Sequence, residues 1–330
     1  MLLSFPYYYA TRPSAESPVE LPVFKLEGTA DAAGYIPDDD LVAAVNVALL
    51  LGQPLLLTGE PGTGKTQLAY HLSHQFGWGK PLLFEAKSTS TARDLFYTYD
   101  ALGRFDAKEV GKASKNPADY IEYNALGRAI LRSRERSDIE RYLPDGYEHD
   151  GPKRSVVLID EVDKAPRDFP NDILTELENL YFKVPQINNT PIEAKKTYRP
   201  VVVITSNSEK NLPAAFLRRC TFFNIEFPND AKLKVILETR AGKFLGSDPF
   251  YDEAVFFFAH KLRAAKFDKA PATAELIAWI VYLREVGLAG KKVRSKENRP
   301  LLVQSLSALV KSREDQQAAT AVLDDWLKAM

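Results

Sequence analysis

Three short runs are apolar at nearly every position: "PLLLTG" (54–59), "SVVLIDE" (155–161) and "RPVVVITSN" (199–207). Runs that do not alternate are buried on both faces, as in a parallel sheet covered by helices. Between them the period lengthens. Leu41, Val42, Val45, Ala48 and Leu49 recur at helical spacing over 37–51, after Asp38-Asp39-Asp40. Acidic residues suit a helix N-terminus. Leu68, Leu72 and Phe76 line a second helix that Gly77 stops. A third is predicted over 168–181, with Phe169, Ile173, Leu174, Leu177, Leu180 and Tyr181 inward. Strands alternating with helices predict an α/β fold with a largely parallel sheet. After "FFNIEFP" (222–228) the strand signal stops, and helical patterns follow near 230–241, 250–264, 272–287 and 301–328. In the last, Ala319, Val322, Leu323, Trp326 and Leu327 form the stripe. The chain therefore reads as an extended arm (1–32), an α/β domain (33–228) and a smaller all-helical domain (229–330).

Composition adds mainly exclusions. The 330 residues carry 43 Lys and Arg against 44 Asp and Glu, a net charge of −1. No global basic field points to nucleic acid. Cys220 is the single cysteine, so no disulfide framework exists and a reduced, cytoplasmic setting is expected. No apolar run reaches the ~18 residues of a membrane span, and "MLLSFPYYYATRPSAESP" lacks the pattern of a signal peptide.

The chemistry begins in "TGEPGTGKTQLAY" (58–70). Gly59-Glu60-Pro61-Gly62-Thr63-Gly64-Lys65-Thr66 fits G-x-x-x-x-G-K-[ST], and Gln67 follows on the helix. Glycines let successive N–H groups turn toward phosphate oxygens, and the helix adds its positive end. Lys65 then reaches the terminal phosphates and the Thr66 hydroxyl ligates Mg²⁺. Asp160 and Glu161 end an apolar strand, at the sheet edge where such folds bind ligands. Asp160 is expected to hold the metal through water, and Glu161 to polarise the attacking water. Asn207 ends the next strand in "ITSN", placed to position that water. Arg218-Arg219 in "LPAAFLRRC" are candidates for stabilising charge on the γ-phosphate.

These pieces, in this order, resemble the AAA+ ATPases and, within them, the MoxR group, over most of the chain from about Tyr35. "PLLLTGEPGTGKT", "VVLIDEVDKAPRDFPNDIL" and "VVVITSNSEKNLPAAFLRRCTFFNIEFP" look like that group's phosphate loop, acidic strand and sensor-to-arginine segment. The resemblance implies ATP and Mg²⁺ as cofactors, with Lys65 and Thr66 in the phosphate loop. Asp160 and Glu161 become the metal and water carboxylates, and Asn207 the first sensor. Arg219 becomes the arginine finger, with Arg218 as the runner-up. It also implies a homo-oligomeric ring, usually a hexamer, whose finger reaches a neighbour's nucleotide. "DLFYTYDALGRF" (94–105) and "YIEYNALGRAIL" (120–131) look like arms of the group's helix-2 insert, and 184–199 sits where it has a hairpin. The helical domain would be its lid, although "KAPATAELIAWI" (269–280) lacks the second-sensor arginine of many relatives.

The implied activity is ATP hydrolysis coupled to remodelling of a protein client, often one with a von Willebrand factor A domain. The absence of an N-K-x-D motif agrees with ATP rather than GTP. Two other classes stay open: a nucleic-acid motor or restriction-type translocase, and a nucleotide-dependent switch subunit of a larger, even defence-related, complex. His71, His74, His149 and His260 lack metal-ligand partners in sequence, and Lys291-Lys292-Val293-Arg294-Ser295-Lys296 reads as a solvated basic loop.

Overall fold

The computed structural model describes residues 32–109, 114, 116–208, 212–241, 249–288 and 290–329. The expected arm, apart from Ala32, lies outside them. Tyr35–Glu226 forms one compact unit, and the residues from Phe227 onward form another, with which Ala32–Gly34 group.

The first unit starts with α1 (Asp39–Leu51), β1 (Leu55–Thr58), α2 (Lys65–Gln75) and β2 (Leu82–Glu85). Next come β3 (Tyr97–Tyr99), α3 (Ala101–Glu109), β4 (Ile121–Tyr123), α4 (Ala125–Arg132), α5 (Arg136–Ile139) and β5 (Val156–Asp160). The unit continues with α6 (Phe169–Asp172), α7 (Leu174–Asn179), β6 (Tyr181–Phe182) and β7 (Ile192–Glu193). It ends with β8 (Val201–Thr205), α8 (Ala214–Leu217) and β9 (Thr221–Asn224). Five strands form one sheet in the order β2-β5-β8-β1-β9, and every pairing is parallel.

The apolar runs bury alternate residues on opposite faces, as the pleat requires. Leu55, Leu57, Val156, Leu158 and Val203 pack with Leu41, Val45, Leu68 and Leu72 of α1 and α2. Leu56, Val157, Ile159, Val202 and Ile204 pack on the other face with Leu126, Ala129 and Ile130 of α4 and with Phe169 and Phe216.

Several elements differ from expectation. β2 was not foreseen; it is a four-residue edge strand with half-buried and exposed positions alternating, too short to give a period. The helix predicted over 168–181 is two short ones. Ile173 interrupts it, Leu180 closes α7 in the left-handed region (φ 50°), and Tyr181 turns away to pair with Glu193. The segment foreseen as the insert's second arm divides. Ile121–Tyr123 pairs antiparallel with Tyr97–Tyr99, whereas α4 is a core helix, with Leu126, Ala129, Ile130 and Leu131 buried. The hairpin expected over 184–199 lies instead at 181–193, where β6 and β7 flank Lys183 to Pro191, and Lys196–Tyr198 is a 3-10 turn outside it.

The second unit holds α9 (Asp230–Ala241), α10 (Pro249–Phe256), a π-helical turn (Phe257–Leu262), α11 (Thr273–Glu285), α12 (Arg299–Leu309) and α13 (Arg313–Lys328). Its core gathers Phe250, Phe257, Phe258, Trp279, Leu302, Leu306 and Leu323. The Trp279 indole N–H donates to Ser305 Oγ at 2.7 Å, so the buried polar atom has a partner. The single helix predicted over 301–328 is interrupted at Val310 (φ −123°, ψ 145°). Ser312 then caps α13 by accepting from the Asp315 N–H at 3.0 Å. Ser-x-x-Asp before a helical run is an N-cap pattern, and the apolar stripe runs through it without showing the break.

The insert region has a buried base and an exposed tip. Phe96, Tyr97 and Tyr123 pack their rings against Phe182 at 5.5, 6.3 and 6.0 Å, while α3 buries nothing and leaves Leu102 77% exposed. Phe182→Ala should therefore cost about 3–5 kcal/mol in urea denaturation. Leu102→Ser should stay within about 0.5 kcal/mol of wild type. Equal effects would contradict this division.

Candidate active site

Because the five strands are parallel, their C-terminal ends share one edge. Register places Thr205 beside Leu57, and Glu85 beside Asp160. The residues after β1, β5 and β8 therefore converge.

The loop after β1 is shaped by glycines at positive φ: Gly59 (138°), Gly62 (76°) and Gly64 (93°). At Gly59 the constraint is also steric, since a Cβ there would lie 2.3 Å from the Ile225 carbonyl oxygen. Glu60, Pro61 and Gly62 form the exposed crest, and Thr63 ties it by donating from Oγ1 to the Glu60 carbonyl at 2.9 Å. A Cβ at Gly64 would meet the Tyr35 ring at 3.1 Å, so this half-buried tyrosine packs directly on the loop. α2 begins at Lys65, with Thr66 and Gln67 in its first turn.

Lys65 is buried at 7% exposure. Its ammonium donates to the carbonyls of Gly59 (2.8 Å) and Glu60 (2.9 Å). Burial lowers its pKa, while Asp163, Asp160, Glu161 and Glu60 act in the opposite direction. A buried cation is thus held at the centre of the loop by carbonyls and surrounding carboxylates.

Asp160 is the junction of the site. Its Oδ1 accepts from Thr66 Oγ1 at 3.0 Å and from Thr205 Oγ1 at 2.6 Å. Thr205 Oγ1 in turn accepts the Glu161 N–H at 2.8 Å. Glu161 sits in the left-handed region (φ 54°, ψ 50°), an unusual conformation for a non-glycine residue. Its carboxylate is half in solvent and pairs with Lys164. Asn207 is placed by its backbone N–H, which donates to Asp163 Oδ1 at 3.1 Å.

Lys65, Thr66, Asp160, Glu161 and Asn207 therefore gather at one edge. Thr205 and Asp163 join them, although neither was singled out in the sequence. Their signals were a hydroxyl at the end of a wholly apolar run and a third carboxylate in "DEVD". The Thr66 hydroxyl and Asp160 carboxylate are adjacent hard oxygen donors. They fit Mg²⁺, which keeps several waters and needs few protein ligands.

Arg218 and Arg219 are not part of this cluster. They precede β9, whose Thr221 is level with Leu55 at the start of β1. They therefore lie at the opposite, N-terminal edge of the sheet, about 13 Å away at ~3.3 Å per residue. Arg219 donates from Nε to Glu178 Oε2 at 2.9 Å, and Arg218 is exposed.

Residues 54–220 match the model of the AAA domain of the dynein-related subfamily. The chain belongs to this AAA family. It thus has the AAA+ P-loop fold and falls among the AAA+ ATPases. A point mutant of Thermotoga maritima RuvB is similar at 15% identity, over 84% of this chain and 72% of that one, with a TM-score of 0.46. The Thermotoga maritima RuvB Holliday junction branch migration motor gives 16%, 84%, 69% and 0.43. Domain III of the Thermotoga maritima replication initiation protein DnaA gives 15%, 91%, 98% and 0.38. No curated protein matches the chain. Among the described residues of this AAA protein, no helix is long and apolar enough to cross a membrane.

Thr205→Val keeps the shape of the side chain but removes both hydrogen bonds that join Asp160 to the Glu161 backbone. Nucleotide turnover is expected to fall about 10- to 100-fold, with a stability loss of about 1–3 kcal/mol from the Glu161 N–H left without its partner. Wild-type turnover in a steady-state phosphate-release assay would dismiss the bridge.

Proposed function

We propose that this AAA protein binds ATP with Mg²⁺ at the Gly59–Thr66 loop and hydrolyses it within a homo-oligomeric ring, in six copies by the MoxR resemblance. The observation that carries this reading is the division of the site between the two edges of one sheet. The phosphate loop and carboxylates lie at one edge, and Arg218 and Arg219 lie at the other. Arginines so placed are out of reach of their own loop and suited to a neighbour's.

In this reading the loop's N–H groups and Lys65 hold the phosphates. Thr66 and Asp160 hold the metal, which would neutralise charge on the β- and γ-oxygens. Glu161 polarises the attacking water, and its carboxylate must leave Lys164 to do so. Asn207, fixed by Asp163, orients that water. Arg219, aligned by Glu178, stabilises the charge that develops on the neighbouring nucleotide, and Arg218 lies beside it. The work done is remodelling of a protein client, in the MoxR manner, with a von Willebrand factor A domain protein as the first candidate. The exposed tip of the insert, with Leu102 and Phe105 outward, supports a role in client contact. The near-neutral charge does not favour nucleic acid as the substrate, and salt-dependent DNA binding would be the sign of that alternative.

Lys65→Ala should abolish ATP binding in calorimetry; near-native affinity would remove the phosphate-loop assignment. Glu161→Gln should bind ATP and hydrolyse it at a small fraction of the wild-type rate. Arg219→Ala should bind normally and lose on the order of 10³-fold in turnover, with a smaller loss for Arg218→Ala. Mixing Arg219→Ala with Lys65→Ala protein should partly restore activity, because some interfaces then pair an intact loop with an intact arginine. No recovery in mixtures shown to co-assemble would count against service in trans.

A further inference from the structure

α1 carries charge only at its first two positions, Asp39 and Asp40. Its inward stripe is Leu41, Val45 and Ala48, all buried. Steps of three and four residues along the opposite side pass through Ala43, Asn46, Val47 and Leu50, all exposed. Val42 and Leu51 flank them; Leu50 is 87% exposed, Leu51 60% and Val47 47%. The one polar side chain of this face, Asn46, turns its amide back onto the Val42 carbonyl at 3.0 Å. A helix at a permanent water surface has a polar outer face, whereas one that is apolar all round is covered. Scattered exposed leucines are ordinary, but a continuous apolar stripe marks a contact.

The place of this stripe indicates what covers it. α1 ends through Gly52, Gln53 and Pro54 into β1. The Gln53 amide oxygen accepts from Thr221 Oγ1 at 3.2 Å, and the Pro54 carbonyl accepts the Thr221 N–H at 2.9 Å. Arg219 and Arg218 are two and three residues before Thr221. The apolar end of α1 and the arginine pair therefore share the N-terminal edge of the sheet.

We infer that the outward face of α1 is an assembly surface, buried against the second copy of this chain whose phosphate loop receives the arginine. The inference rests on the trans reading of Arg218 and Arg219 given above. If those side chains serve a neighbour, the neighbour's phosphate-loop side must approach this edge. Leu50 and Leu51 then lie on its path. The contact joins different patches of the two copies, the head-to-tail type that closes into rings.

The test uses the full chain with Val47→Glu and Leu50→Glu together. Both positions face water in the single chain, so the carboxylates cost little there. In an apolar contact each would be buried without a partner. Sedimentation in ATP should show association weakened at least about 100-fold, equivalent to ~2.7 kcal/mol. The melting temperature and the ATP affinity of the dissociated chain should stay at wild-type values. Unchanged association overturns the inference, as does wild-type protein that stays monomeric in ATP. A fall of several degrees in melting temperature with association retained also overturns it, because the stripe is then covered by the chain's own residues. The arginine reading is separable. If the Arg218→Ala/Arg219→Ala protein assembles and hydrolyses ATP normally, that reading fails and takes with it the inference that rests on it. If the double-Glu protein assembles with full arginine-dependent turnover, only the α1 surface falls.

Discussion

The shared direction of five strands governs this molecule. In a parallel sheet every strand delivers its C-terminal residue to the same edge, so three sequence-distant loops meet without long-range searching. Asp160 is the point where that convergence becomes chemical. One carboxylate oxygen collects the hydroxyl that follows the phosphate loop and the hydroxyl that ends the neighbouring strand. The same direction leaves Arg218 and Arg219, just before β9, at the far edge of the sheet.

Much of this was legible because apolar strands and glycine loops write themselves densely in sequence. "PLLL", "SVVLID" and "VVVIT" are short, unalternating and mostly bounded by Pro, Gly or polar residues, which favours buried strands, and the G-x-x-x-x-G-K-T spacing gives the loop at the end of the first. What stayed hidden has physical causes. β2 is an edge strand of four residues with only half its positions covered, so neither burial nor alternation is long enough to register. The break in the last helical pattern lies at Val310 and Ser312, where the apolar period continues across a cap. α4 and β4 adjoin in one apolar stretch, which joined a core helix to the insert. Thr205 and Asp163 were missed because their roles depend on partners across strands.

The insert illustrates how a fold carries an accessory segment without weakening its core. Its two short strands are anchored by Phe96, Tyr97 and Tyr123 around Phe182, a residue of the 181–193 hairpin. The two accessory elements therefore support one another on the sheet face away from α1 and α2. Between those strands α3 stays outside, with Leu102 and Phe105 in solvent, and Arg104 ties it back by donating to the Tyr99 hydroxyl at 2.9 Å.

The backbone of Glu161 has one more consequence. At φ 54° the chain asks for glycine, asparagine or aspartate, and a β-branched residue could hardly be placed there. The proposed chemistry asks instead for a longer carboxylate. A library of substitutions at this position, ranked by how well each variant folds, would therefore run nearly opposite to the same library ranked by turnover. Natural variation there would trace a compromise between local backbone comfort and the reach of a side chain. Sequence drift toward glycine or asparagine at this one site would be a mark of relatives that have kept the fold and given up the reaction.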